Sequence, residues 1–358
     1  MIYPKTVAVL IFLLNFLCTT NCQLIISQVP PASTDQAIDD WTEDHYIFYN
    51  TDVSKLNLLF VHLDGSYGIP GIAQKYLTFA ANVGFHVVNL RYPNSWTVND
   101  LCRTSEDEYC FSNLRMETLI GDNKTSEVNI TRSNSIENRL IKLLQYLHSE
   151  DSEEGWDLYF DGDNIVWDKL GFSGHSQGAG HASFIGYQHN VHTVLNFASP
   201  ADYSVKYLQV APWLSEEPQT TADHFLGFGH LRDQIVGWDF LKLVFSDYLQ
   251  LSQFGEEICV DNNTSPYSNS HMLFTDCEPS GSDNYHGSII NDKHTPLDDN
   301  DDPILSDTWI YLLTKNLDNY NTPTPTATPN PNTSNAGSFS FNSFMILFTS
   351  LFGLCLFF

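Results

Sequence analysis

One stretch decides what this chain can fold into: Gly171-Phe172-Ser173-Gly174-His175-Ser176-Gln177-Gly178-Ala179-Gly180-His181-Ala182. A short apolar run at Ile165, Val166, Trp167 and Leu170 precedes it, and small and apolar residues of helical character follow. Within it, Gly174-x-Ser176-x-Gly178 has the form of a sharp strand-to-helix turn with a serine at its tip. The tip residue is held in a strained conformation, so its neighbours must lack bulk for strand and helix to approach. A helix starting at Gln177 would aim its free N–H groups and the positive end of its dipole at that tip, favouring an anion there.

The chain on either side alternates between two patterns. Residues 23–55 are polar and irregular, with a strand fragment from Tyr46 to Tyr49. Leu56 to Leu63 is a nearly continuous apolar run, as expected of a strand buried on both faces. A loop rich in Gly and Pro, 64–71, leads to a helix over Ala73 to Val83, closed by Gly84, and to a strand over Phe85 to Leu90. Residues 95–134 are polar and read as an excursion from the core. Ile136 to His148 carries apolar residues at 136, 140, 143, 144 and 147, a helical period. After the elbow come strands at Val191 to Ser199, His224 to Gly229 and His271 to Thr275, and a closing helix at Trp309 to Leu317. Such alternation implies a mostly parallel sheet with helices on both faces. No internal repeat is visible.

On these residues the chain, from about 40 to 318, resembles the α/β-hydrolase superfamily. That family orders its reactive groups Ser…Asp/Glu…His. Ser176 stands on the elbow, Asp233 lies directly after the strand ending at Gly229, and His286 follows the last strand. The string Gly-His-Ser-Gln-Gly is similar to that of esterases and thioesterases within the superfamily. The resemblance implies an α/β-hydrolase fold with a short cap insertion and a Ser176–His286–Asp233 triad. It also implies an oxyanion hole from the backbone N–H of Gln177 and that of Gly65 or Ser66. Asp202 is the rival for the acid, and His294 and His271 are the rivals for the histidine. Loop 200–222 occupies the cap position, where Tyr203, Tyr207 and Trp213 point to an apolar acyl or aryl group. The expected substrate is a small-molecule ester or other acylated compound, cleaved without a cofactor. Asp64 departs from the common His-Gly-Gly form of the oxyanion loop, and its carboxylate is expected to point away or be hydrogen-bonded. A non-catalytic adhesion or recognition protein is the alternative reading.

Charge and the two ends narrow the setting. With 16 Lys and Arg against 43 Asp and Glu, the net charge of −27 repels nucleic acid and anionic membranes. Residues 1–22 have the form of a secretory signal: Lys5, an apolar core from Val7 to Leu17, and small residues before Gln23. The hydrolase domain is expected over 23–318 and a Pro/Thr-rich stalk over 319–335. The segment 336–358 reads as a GPI-attachment signal, with Ser334 or Asn335 as the attachment residue and the outer leaflet as the partner. Cys18, Cys22 and Cys355 would leave with these segments. That leaves Cys102, Cys110, Cys259 and Cys277, an even number that suggests two disulfides, with the pairs 102–110 and 259–277 closing the shortest loops. Asn123, Asn129, Asn262, Asn263 and Asn332 head N-glycosylation sequons. The 13 histidines form no metal-binding pattern, and the acidic run 298–302 reads as solvated surface.

Overall fold

Side chains alternate across a strand, so a strand apolar at every position must be covered on both faces. The computed structural model describes residues 23–317. The expected signal, stalk and tail lie outside the described residues, as do Asn332, Ser334 and Asn335. Nine strands form the main sheet: β1 (Leu24–Val29), β2 (His45–Asn50), β3 (Leu59–Leu63), β4 (His86–Asn89), β5 (Leu170–His175), β6 (Thr193–Phe197), β7 (Phe225–His230), β8 (Ile258–Cys259) and β9 (Met272–Thr275). Their spatial order is β1-β2-β4-β3-β5-β6-β7-β9-β8. β1 and β2 run antiparallel at one edge, and all pairs from β4 onward are parallel. All five residues of β3 and all six of β5 are buried.

Helices cover both faces. On one, α1 (Gln74–Val83) places Tyr76 against Phe60, Phe197 and Trp309, the last from α7 (Ser306–Thr314). On the other lie α3 (Cys110–Ile120), α4 (Ile136–Glu150) and α5 (Gln177–Gln188), whose apolar residues join Leu59, Val61 and Leu63 in one core cluster. α4 starts where Ser135 caps it, its side chain accepting from the Asn138 N–H at 3.3 Å. α1 ends at Gly84 in the left-handed region, φ 114°. Two further helices flank the cleft, α2 (Val98–Cys102) and α6 (Trp238–Leu243). Among the described residues no helix is long and apolar enough to cross a membrane.

Three expectations need correction. Strand β1 formed where irregular chain was expected: it pairs with β2 along its whole length at the sheet edge and buries only Val29, so no buried apolar face marks it. The 95–134 excursion contains a core helix: α3 buries Phe111, Leu114 and Leu119 together with Arg115 and Glu117. The buried Glu117 is satisfied by the N–H groups of Lys124 and Ile130, so a polar composition concealed a packed element. Finally, Cys102 and Cys110 are joined, but Cys259 and Cys277 are free thiols. Both donate to Asp261, at 3.5 and 3.1 Å, so a carboxylate between them takes the place of the expected bond.

Burial also sets the acid response. His45 and His175 are held down to about 3 and His271 to about 4, against an ordinary 6.5, and His181 is held well below it, in each case first by burial. Between pH 4 and 6.5 the unfolded chain therefore binds protons that the folded chain refuses, and stability falls as pH falls. The urea midpoint of the 23–317 domain should be clearly lower at pH 5 than at pH 7. A midpoint that rises on acidification would contradict this account of the buried histidines.

Candidate functional site

The turn at the end of β5 is a strained elbow. Ser176 has φ 53° and ψ −123°, a conformation that side chains rarely adopt. It is held there from both sides: its N–H donates to the Phe197 carbonyl at 2.8 Å, and its own carbonyl accepts from Ala179 at 3.0 Å. The approach of β3 to α5 requires Gly178, because a Cβ there would lie 2.0 Å from the Leu63 carbonyl oxygen. Gly65, in the loop after β3, packs on the serine itself: a Cβ there would sit 3.1 Å from Ser176 Cβ.

That loop is fixed by the segment after β4. Tyr92 Oη donates to the Asp64 carbonyl at 2.5 Å, and Asn94 Nδ2 donates to the carbonyls of Gly65 and Gly68, both at 2.8 Å. Ser66 Oγ donates to Gln177 Oε1 at 3.0 Å, and the Val98 N–H donates to the same oxygen at 2.8 Å. Among the described residues, no hydrogen bond within the protein engages the backbone N–H groups of Gly65, Ser66 or Gln177. Asp64 is turned toward the sheet. Its Oδ2 accepts from Asn89 at 2.9 Å, and Oδ1 lies 3.6 Å from His62 Nε2.

His286 stands on a one-turn helix, Tyr285–Ser288, after β9. Its Nδ1 meets Asp233 Oδ2 at 2.6 Å. Asp233 Oδ1 accepts the N–H groups of Ile235 and Val236, at 2.7 and 2.9 Å, so both carboxylate oxygens are engaged. Burial raises the Asp233 carboxyl, but the His286 hydrogen bond, its charge and the two N–H groups outweigh that and hold it below the ordinary range. The acid is therefore ionised at neutral pH. His175 adds a second tie. Its Nε2 lies 2.9 Å from the His286 carbonyl, an acceptor only, so that nitrogen carries the proton. The two rings are 4.6 Å apart, which brings His286 beside the elbow. No hydrogen bond joins Ser176 Oγ to His286 in this structure, a contact that in unliganded sites often tightens only with substrate.

The rivals are engaged with other partners. Asp202 binds Arg115 through both oxygens, at 2.6 and 2.5 Å, and accepts from Trp213 Nε1 at 2.9 Å. His294 faces Ser282, and His271 bonds the Phe225 carbonyl and stacks on Phe254. A cleft of about 500 Å³ opens over Ser176, lined on its apolar side by Val98, Ala201, Tyr203, Val236 and Phe240. Of the three cap aromatics expected to face it, only Tyr203 does. Trp213 is buried beneath Asp202, and Tyr207 Oη bonds the Glu106 carbonyl. Among the described residues no group of His, Cys, Asp and Glu is placed to hold a metal ion.

The serine sits at the carboxyl end of the central strand, two strands from the one that carries Asp233 and three from the one before His286. The chain has the α/β-hydrolase fold. No protein-family model matches the sequence, and the search of curated proteins returned no match. Among solved structures, the chain is similar to a Klebsiella pneumoniae protein provisionally assigned as a dienelactone hydrolase, at 10% identity over 72% of this chain and 86% of that one, with a TM-score of 0.35. A Thermus thermophilus protein aligns at 13% identity over 71% and 88%, with a TM-score of 0.33. Neither likeness bears on chemistry.

Sequence reasoning missed the tie from His175 to His286 and the Arg115–Asp202 pair, each spanning a long separation with no local signal. The pair gives a direct test. Asp202→Ala leaves a buried guanidinium uncompensated and should cost roughly 3–5 kcal/mol in denaturant unfolding. Unchanged stability, with activity lost, would return Asp202 to the role of acid.

Proposed function

We propose that the protein is a serine hydrolase that cleaves an ester, or less readily a thioester or amide, through an acyl-enzyme on Ser176. The observation that carries this is the 2.6 Å His286–Asp233 hydrogen bond beside a serine held at φ 53°. A neutral hydroxyl is a weak nucleophile, so His286 takes its proton through Nε2 as Oγ attacks the carbonyl carbon. Asp233, ionised and doubly anchored, fixes the tautomer with Nδ1 protonated and stabilises the imidazolium. The free N–H of Gln177, with that of Gly65 or Ser66, receives the developing oxyanion. His286 then gives its proton to the leaving group, and water repeats the sequence to release the acid. Purified protein should react with a fluorophosphonate at Ser176, and Ser176→Ala should abolish labelling while remaining folded. Asp233→Asn should lower ester turnover by about 10⁴. Labelling that survives in Ser176→Ala refutes the nucleophile, and no labelling or ester turnover by folded wild type favours the adhesion reading.

The setting we propose is the outer cell surface, through a GPI lipid. Support comes from the Cys102–Cys110 disulfide, which suits an oxidising compartment, and from the exposure of Asn123, Asn129, Asn262 and Asn263 at their sequons. Phosphatidylinositol-specific phospholipase C should release the protein into the medium without 344–358 in its peptide map. Recovery of that tail intact would rule out the lipid anchor.

A further inference from the structure

Four charged side chains line the cleft over Ser176: Asp100, Arg103, Arg115 and Asp202. Arg115 and Asp202 neutralise one another as a buried, two-point pair. That leaves Asp100 and Arg103, whose side chains approach no partner among the described residues. Arg103 is the one arginine among the described residues whose guanidinium has neither a hydrogen bond nor a carboxylate in reach; Arg91, Arg115, Arg132, Arg139 and Arg232 are all engaged. In a chain of net charge −27 an unpaired carboxylate calls for no explanation. The Arg103 side chain is exposed on the cleft wall, so its guanidinium is open to a charge-assisted pair with a ligand.

The main chain at Arg103 is fixed while its head is free. α2 is capped by Thr97, whose Oγ1 accepts from Asp100 at 3.2 Å, and is tied to α3 by the Cys102–Cys110 disulfide. The Arg103 carbonyl accepts the N–H groups of Val205 and Lys206 from the cap, at 2.8 and 3.3 Å. A planar donor fork on a fixed base, at the wall of a mostly apolar cleft, suits a carboxylate, which it can bind at two points.

We infer that Arg103 recognises a carboxylate carried by the substrate away from the reacting carbonyl, so that the substrate class is an ester with an apolar portion ending in an anion. This rests on the reading of Ser176 as the nucleophile. Arg103 does not touch the reacting atoms; it selects the substrate.

The test pairs anionic esters with neutral counterparts: mono-p-nitrophenyl succinate, glutarate and adipate beside p-nitrophenyl butyrate, and p-carboxybenzyl butyrate beside benzyl butyrate. Wild type should show a lower KM for at least one carboxylated ester than for its counterpart. Arg103→Gln should raise that KM roughly tenfold or more, leaving kcat and the neutral esters unchanged. Asp100→Asn should not weaken the carboxylated ester. Equal losses on both kinds of ester, or no carboxylate preference in wild type, would overturn the assignment. Calorimetry on Ser176→Ala protein separates the two readings. It should bind mono-p-nitrophenyl glutarate more tightly than p-nitrophenyl butyrate and lose the difference when Arg103→Gln is added. If wild type hydrolyses no ester, the nucleophile reading fails while this binding difference still decides for or against Arg103.

Discussion

The constraint on which the molecule depends is the close passage of β3 against the start of α5. A backbone carbonyl of one element occupies the space a side chain would need on the other, so the elbow exists only because Gly178 has none. The strain at Ser176 is then sustained by the sheet, since the Phe197 carbonyl on β6 holds its N–H and the first turn of α5 holds its carbonyl. The same passage brings the loop after β3 onto the serine. The free N–H groups of Gly65, Ser66 and Gln177 and the serine are thus consequences of one packing event, and moving the strand would move all of them.

His286 shows a second kind of support. It comes from a short helix near the end of the domain, the least rigid kind of element. Three bonds from two separate parts of the chain compensate: Asp233 holds the ring, its neighbour Gln234 holds the backbone N–H, and His175 holds the carbonyl. His175 can serve in this way because burial keeps it neutral, down to about 3. A protonated imidazole beside His286 would oppose the imidazolium that the proposed acyl transfer would form.

Much of this was legible in the sequence. The Gly-x-Ser-x-Gly spacing placed the elbow, the apolar run before it marked a buried strand, and the order of Ser176, Asp233 and His286 matched the order in which the fold delivers them. Periodicity found α4 because its apolar stripe is continuous. It failed for α3, where Arg115 and Glu117 occupy buried positions that a pattern of apolar residues cannot reveal. The cap aromatics were misread for a related reason. Trp213 is amphipathic, and its indole N–H finds Asp202 beneath the cleft, so its body packs inward. Cysteine parity likewise could not show Asp261 standing between Cys259 and Cys277.

Electrostatics reconcile an acidic molecule with a site for developing negative charge. Asp64, in the loop after β3, is nearly inaccessible at 2% exposure, and its Oδ2 accepts from Asn89 while Oδ1 lies 3.6 Å from His62. Asp202 is cancelled by Arg115, and Asp233 is held by the His286 hydrogen bond and two N–H groups. These three carboxylates therefore each meet a donor before a ligand arrives, while Asp100 on the cleft wall does not. On the proposed reading, the dipole of α5 and the free N–H groups would act on the oxyanion where the buried carboxylates are already engaged. The long-range repulsion of −27 charges falls off within about 8–10 Å at physiological salt, so it governs approach to the surface and not the chemistry inside the cleft.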